Sequence, residues 1–194
     1  MINIILHGQT ELNHRRVLQG RSDIELNDAG IEQAQQLARE LRTVPIDHVF
    51  TSPLKRAIHT AKIVVPDMEA VIDERLIEMD YGPYEGADLT HPPQEILTFF
   101  SDFVHNPAPE GMEPLSSVLE RTGAFLEDIR KLDGNILIST HAIAMKGILE
   151  NLTPSSNGAY WSRHIRNCTV YVAENTDGEI GVPEEMAQAA ETRK

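Results

Sequence analysis

Two histidines stand where strands end. The apolar run Ile2 to Leu6 leads into His7-Gly8-Gln9-Thr10, and the run Ile136 to Thr140 delivers His141 into the helical pattern 142–152. Residues placed alike at two strand ends, far apart in the chain, point to one shared pocket at the carboxyl edge of a sheet. Gly8 lets the backbone turn sharply and a ligand approach the main chain closely. A second kind of chemistry lies in Thr51-Ser52-Pro53-Leu54-Lys55-Arg56-Ala57. There a strand end passes into a helix whose first turn exposes N–H groups and two cations. Such a terminus favours anions, and Arg56 has the planar fork that matches phosphate oxygens. The third segment, Glu78-Met79-Asp80-Tyr81-Gly82-Pro83-Tyr84-Glu85-Gly86, sets three carboxylates around two glycines. Singly, the first segment reads more readily as a structural histidine and the third as an acidic surface loop, while the second fits a solvated basic turn equally well. Their combination is what points to chemistry.

The elements that must position these groups alternate between strand and helix. Residues 2–6 read as a strand, 29–42 as an amphipathic helix (Ala29, Ile31, Ala34, Leu37, Ala38, Leu41) and 48–51 as a short strand. Pro53 fits the first turn of a helix running from about 54 to 65, which Pro66 stops. Residues 70–72 form an edge strand, 93–105 and 114–131 amphipathic helices, 135–140 a buried strand and 169–173 a last strand. The pattern predicts an α/β fold, a three-layer α/β/α sandwich with a mostly parallel central sheet. Residues 1–182 form one domain, and 183–194 a loosely held polar tail. The proline-rich stretch 84–112 reads as a cover segment over the sheet edge. Its Ile96, Phe99, Phe100 and Phe103 have the helical spacing of a core-facing stripe, while Tyr84, Phe99, Phe100 and Phe103 are the residues there that could line a specificity pocket.

Composition narrows the class. A chain of 194 residues with 41% hydrophobic content suffices for one well-packed domain. One cysteine, Cys168, excludes an intramolecular disulfide framework and reads as a small buried hydrophobe. There is neither a secretory leader pattern nor a run of 18 apolar residues, so the expected location is cytoplasmic, away from membranes. A formal charge of −13 opposes nucleic acid and anionic membrane surfaces, although Arg15, Arg16 and Arg21 supply local positive charge for a small anionic substrate. Eight scattered histidines and one cysteine show no metal-ligand spacing, so no metal and no cofactor is expected. Tyr160 and Trp161, in a short loop, are candidates to anchor a homodimer.

Taken together, these segments resemble the histidine phosphatase superfamily, the phosphoglycerate mutase-like proteins, over nearly the whole chain. That family's signature, Arg-His-Gly-x-Thr followed by Asn, is matched by Leu6-His7-Gly8-Gln9-Thr10 and Asn13 in all but the arginine. Gln19-Gly20-Arg21-Ser22-Asp23, Ser52-Pro53-Leu54 with Arg56-Ala57, Leu76 and Glu78, Glu85-Gly86, and Ser139-Thr140-His141 also follow the family pattern. Ala142 stands where glycine is usual.

The resemblance implies a metal-independent phosphomonoester hydrolase acting on a small phosphorylated metabolite. His7 would be the nucleophile that carries the phosphoryl group, since imidazole is largely neutral at pH 7 and has a lone pair for in-line attack. Arg56 and His141 would hold the phosphoryl oxygens. Glu78 would protonate the departing alkoxide and then activate water, with Asp80 and Glu85 as the other carboxylates for that role. Gly8, Asn13, Gln19, Gly20 and Ala142 would line the substrate pocket. Leu6 offers neither donor nor charge. Losing one charge-assisted contact is worth roughly 1.5–3 kcal/mol, and losing a preorganised donor lowers rate by about 10²–10³. The short cover between Glu78 and His141 favours hydrolysis over mutase-type phosphoryl transfer, because an open pocket admits water. The alternative of another class is a non-catalytic relative that binds a phosphorylated ligand or a partner through the same pocket.

Overall fold

Apart from Asn3, the segment Ile2–Leu6 is apolar, and all of it is buried, as a strand covered on both faces must be. The computed structural model describes residues 1–187. In chain order its elements are β1 (Ile2–Leu6), α1 (Glu11–His14), α2 (Asp28–Leu41), β2 (His48–Thr51), α3 (Lys55–Val64), β3 (Val71–Ile72), α4 (Gln94–Ser101), α5 (Leu115–Ile129), β4 (Ile136–Thr140), α6 (Ala142–Leu152), β5 (Val170–Ala173), β6 (Asn175–Thr176), β7 (Glu179–Ile180) and β8 (Glu184–Glu185). The main sheet has the order β3-β2-β4-β1-β5-β8. Its pairings are parallel from β3 to β1 and antiparallel from β1 to β8.

Side-chain alternation along the strands divides the core into two layers. Ile2, Ile4, Leu6, Ile136 and Ile138 pack with Phe125, Leu126 and Ile129 of α5 and with Met145, Ile148 and Leu149 of α6. Ile5, Val49, Leu137 and Val170 face Ala34, Leu37 and Leu41 of α2 and Ala61 and Val64 of α3. A third cluster joins Ile96 and Phe99 of the cover segment to Met79, Tyr81, Ile143 and Trp161. The expected α/β sandwich with a mostly parallel sheet is present.

Three boundaries differ from expectation. Pro53 lies just outside α3, because Leu54 is the N-cap and Lys55 the first helical residue. Helix α4 stops at Ser101 rather than near residue 105, since the Asp102 carboxylate accepts the N–H groups of Val104 and His105 and so turns the chain. The stretch from Pro183, expected to hang loose, begins as an edge strand. Glu184 and Glu185 pair with Val172 and Tyr171, and the Tyr171 hydroxyl donates to Glu185 at 3.0 Å. No hydrophobic pattern marks so short a charged strand. The remainder of the polar tail, 188–194, lies outside the described residues.

Candidate active site

The register of two adjacent strands creates the site. Leu6 of β1 lies beside Thr140 of β4, so the next residue of each strand is a histidine. The rings of His7 and His141 have centroids 5.1 Å apart. The next strand, β2, brings its own end alongside, with Thr51 beside Ser139. Ser52 then accepts a hydrogen bond from His141 Nε2 at 2.6 Å. Hydroxyls of β4 fix the flanking pieces: Ser139 donates to the Ala57 carbonyl in α3, and Thr140 to the Leu76 carbonyl, two residues before Glu78.

The ring of His7 is held by its neighbours. Its Nδ1 lies 2.6 Å from the Gly8 carbonyl, and because a carbonyl only accepts, Nδ1 carries the hydrogen and Nε2 the lone pair. Burial, followed by the positive charge of Arg56, lowers the His7 pKa to about 3, so the ring is neutral at pH 7. His7 N–H donates to Thr140 O, and the His7 carbonyl accepts from Asn167 Nδ2 at 3.0 Å. The Asn167 contact has no local sequence signal, because the two residues meet only through the sheet.

Arg56 is 1% exposed and joins the two histidines. Its Nε donates to both His7 Nε2 and His141 Nδ1 at 3.2 Å, while its terminal nitrogens donate to the carbonyls of Ser22 (2.7 Å) and Gly20 (2.6 Å). His141 receives at Nδ1, so it donates at Nε2, to Ser52. Burial and the nearby Arg56 hold its pKa well below the ordinary value, leaving it neutral. Neither Arg56 nor His141 lines the cavity, and in this arrangement the Arg56 Nε hydrogen and the His141 ring hydrogen are engaged within the protein. The N-terminus of α3 is occupied too: Asp23 accepts the Lys55 N–H at 2.8 Å, so an internal carboxylate takes the place expected of a bound anion.

Glu78 is nearly buried and caps α6. Its carboxylate accepts N–H bonds from Met79 (2.8 Å) and from Ile143 and Ala144 (3.2 Å). Desolvation raises its pKa, the largest of several opposing influences, despite those donors and Arg56. The other two carboxylates are engaged elsewhere. Glu85 accepts Gly20 N–H, Ser22 N–H and Ser22 O–H, and Asp80 pairs with Arg21 at 3.3 Å.

His7 and Glu78 open on one cavity of about 530 Å³, whose lining also includes Leu6, Asn13, Gln19, Ala142 and Lys146. Phe100 and Phe103 form an aromatic wall with Trp161, whereas Ile96 and Phe99 turn into the core. Asn13 is also tied into a capping box with Thr10. The Gln19 carbonyl accepts from Thr10, but its buried amide nitrogen has no partner among the described residues. Gly8 and Gly20 contribute differently from the expected pocket lining. A Cβ on Gly8 would lie 2.4 Å from Gly30 O, so Gly8 exists for strand–helix contact; the Gly20 N–H belongs to Glu85 and its carbonyl to Arg56. Among the expected basic residues, Arg16 lines the cavity, whereas Arg21 is paired with Asp80 and Glu113. Trp161 is buried, and Tyr160 packs edge-on against Tyr171. Cys168 is buried as expected, and burial pushes its thiol up to about 12.

Among the described residues, no three His, Cys, Asp or Glu side chains converge in a way that could hold a metal ion, and no helix is long and apolar enough to cross a membrane. Residues 2–184 match the model of the histidine phosphatase superfamily, branch 1. Phosphoserine phosphatase 1 of Hydrogenobacter thermophilus is 30% identical over 171 residues, covering 84% of this chain and 81% of that protein. Phosphoglycerate mutase-like protein 4 of Arabidopsis thaliana is 31% identical over 188 residues, covering 92% of this chain and 80% of the relative. The crystal structure of a phosphoserine phosphatase mutant from Entamoeba histolytica, in complex with phosphoserine, superposes with a TM-score of 0.80 at 25% identity, covering 96% of this chain and 94% of the other. With its paired strand-end histidines, Arg56 and Glu78 arranged on this fold, the chain belongs to the histidine phosphatase superfamily.

Proposed function

We propose that the protein hydrolyses small phosphomonoesters through a phosphohistidine on His7, without a metal, at a rate limited by Leu6. The observation that carries this reading is a neutral His7 whose Nδ1–H is fixed to the Gly8 carbonyl, in the same cavity as a buried carboxyl of raised pKa. The Nε2 lone pair of His7 attacks phosphorus in line, and the bond to the substrate's alkoxide oxygen breaks. Protonated Glu78 gives its proton to that alkoxide; the resulting carboxylate then takes a proton from the water that attacks the phosphohistidine, which restores both residues. An arriving phosphoryl oxygen replaces His7 Nε2 as an acceptor for Arg56 Nε–H, so binding frees the nucleophile. His141, bonded to Ser52 and Arg56, keeps that guanidinium in place. Arg16, Ser162, Arg163 and His164 at the cavity lining are exposed, so water reaches the intermediate and hydrolysis outpaces transfer back to an acceptor.

The Arg56–His7 hydrogen bond also favours a second reading, a non-catalytic phospho-ligand binder in which Arg56 never releases the ring. Phosphate release from a panel of phosphomonoesters in the presence of chelator separates the two. The hydrolase releases phosphate, labels with substrate phosphorus in an acid-labile, base-stable form, and loses both properties in His7→Ala. Release that survives His7→Ala refutes the mechanism.

A further inference from the structure

The turn that follows Gln19 lies between two opposite charges. On one side the Arg56 guanidinium donates to the carbonyls of Gly20 at 2.6 Å and Ser22 at 2.7 Å. On the other, the Glu85 carboxylate accepts the Gly20 N–H at 3.0 Å through both oxygens, the Ser22 N–H at 3.1 Å and the Ser22 hydroxyl at 2.6 Å. Residues 20 and 22 thus present their acceptors to the cation and their donors to the anion. Only glycine permits this at position 20, where a Cβ would lie 2.6 Å from Glu85 Oε2 and from the Met79 carbonyl. The backbone that carries Glu85 is fixed as well. Its own N–H donates to Gly82 O, and the next N–H, of Gly86, donates to Leu18 O at 2.9 Å, which ties it to the segment entering the turn.

A buried cation is costly unless opposite charge meets it, and Arg56 belongs to no ion pair among the described residues. Burial lowers its pKa, opposed by the charges of Glu78, then Glu85, then Asp23. Of these three carboxylates, Glu85 is the one that accepts from the two residues gripping the guanidinium; Glu78 is bonded to Met79, Ile143 and Ala144, and Asp23 to Lys55. Hydrogen bonds to ionised groups are about twice as strong as neutral ones, and linked bonds polarise one another. With both terminal nitrogens held, the guanidinium plane is fixed and Nε–H points at the strand-end histidines. Neither Glu85 nor Gly20 lines the cavity, so neither touches a ligand there. On the reading that Arg56 Nε–H receives the phosphoryl oxygen, we infer that Glu85 is a positioning residue: it aims Arg56 through the turn 20–22 and so sets the affinity of the site for the phosphoryl group.

The test is Glu85→Gln in the full chain, which keeps the side chain's shape and removes its charge. Calorimetric titration with inorganic phosphate at pH 7 should show an affinity roughly tenfold below the parent's, the usual worth of a charge-assisted hydrogen bond. In an Arg56→Met background the same change should alter affinity by no more than about twofold, because the residue through which Glu85 acts is gone. No loss in the parent background overturns the inference, and so does an equal loss in both. A second readout needs neither ligand nor second substitution, and it decides alone where Arg56→Met fails to fold or bind. Solvent exchange of the Arg56 Nε–H, followed by nitrogen-edited NMR, should quicken roughly tenfold in Glu85→Gln while the amides of β1 and β4 keep their protection. Unchanged exchange overturns the inference, as does a rise shared equally with those amides, the signature of a fold loosened throughout. A parent that binds no phosphate yet passes the exchange test sinks the phosphomonoester reading and leaves Glu85 as the residue that aims Arg56. Phosphate binding that survives Glu85→Gln unchanged does the reverse.

Discussion

Replacing Leu6 with arginine tests whether this site is an enzyme working below capacity. Leu6 is 3% exposed, packs in the layer with Ile4, Phe125 and Met145, and also reaches the cavity beside His7. An arginine there puts a fork next to the phosphoryl position, and one preorganised donor at developing charge is worth about 10²–10³ in rate, or roughly 2.7–4 kcal/mol. The same change lowers stability. Removing a buried leucine costs about 1.5–3 kcal/mol, of which the arginine stem recovers a part. Without a ligand, the new guanidinium also joins Arg16 and Lys146 at the lining of one cavity. Leu6→Arg should therefore raise kcat/KM for phosphate release by about two orders of magnitude while lowering Tm by several degrees, as a loss of about 1–3 kcal/mol would. Inorganic phosphate should restore much of that Tm by binding the folded state. A folded Leu6→Arg protein whose kcat/KM is unchanged or lower would refute the reasoning, because the missing arginine would then not be what limits the site.

Other expectations follow from single contacts. Glu78→Gln removes the proposed proton donor and sets an amide against three backbone N–H groups; hydrolysis of alkyl phosphates should fall by about 10²–10⁴, while p-nitrophenyl phosphate, whose leaving group needs no proton, should be affected far less, and equal losses on both would argue against Glu78 as the acid. The pH profile of kcat/KM should fall as pH rises through the raised Glu78 pKa and show no loss attributable to His7 until about pH 3; an acidic limb near the ordinary imidazole value would contradict a neutral, buried nucleophile. Stability should also fall on acidification. His7 is neutral in the folded chain down to about 3, whereas the unfolded chain takes up that proton below 6.5, so urea midpoints should drop from pH 7 to pH 5; a rise would reverse the assigned shift. Gly30→Ala would place a Cβ 2.1 Å from the Gln9 carbonyl and should cost about 1–3 kcal/mol by overpacking α2 against the loop after His7, measurable by denaturant titration.

Much of this architecture was legible because it follows from apolar periodicity. β1 and β4 are nearly continuous hydrophobic runs, and the glycine and serine-threonine signals at their ends announce the turns that carry the histidines. The residues around the site were legible as types and less so as partners. Nothing local says that Asp23 caps α3, that Glu85 clamps Gly20 and Ser22, or that Asn167 bonds to the His7 carbonyl, since each contact joins elements that only the sheet brings together. Lys146 escaped notice in an otherwise apolar helical run, where a lysine ordinarily marks the solvent side. The strand Glu184–Glu185 was illegible for a different reason: its stability comes from main-chain pairing to β5, which any side chain permits.

The parallel pairing of β1 with β4 has a consequence for biogenesis. β1 precedes the other strands of its sheet and is one of the most deeply buried, yet its neighbour on one side is completed only when Thr140 has emerged, and on the other only after Ala173. Contacts of such long sequence separation form late and slowly. His7 therefore lacks the partners that fix its ring until β4 and α3 are in place, so the proposed phosphohistidine chemistry would appear together with the closed sheet. Recovered phosphate release during refolding would thus clock the pairing of β1 with β4 and β5, and a truncated product lacking β4 should release none however well its first helices formed.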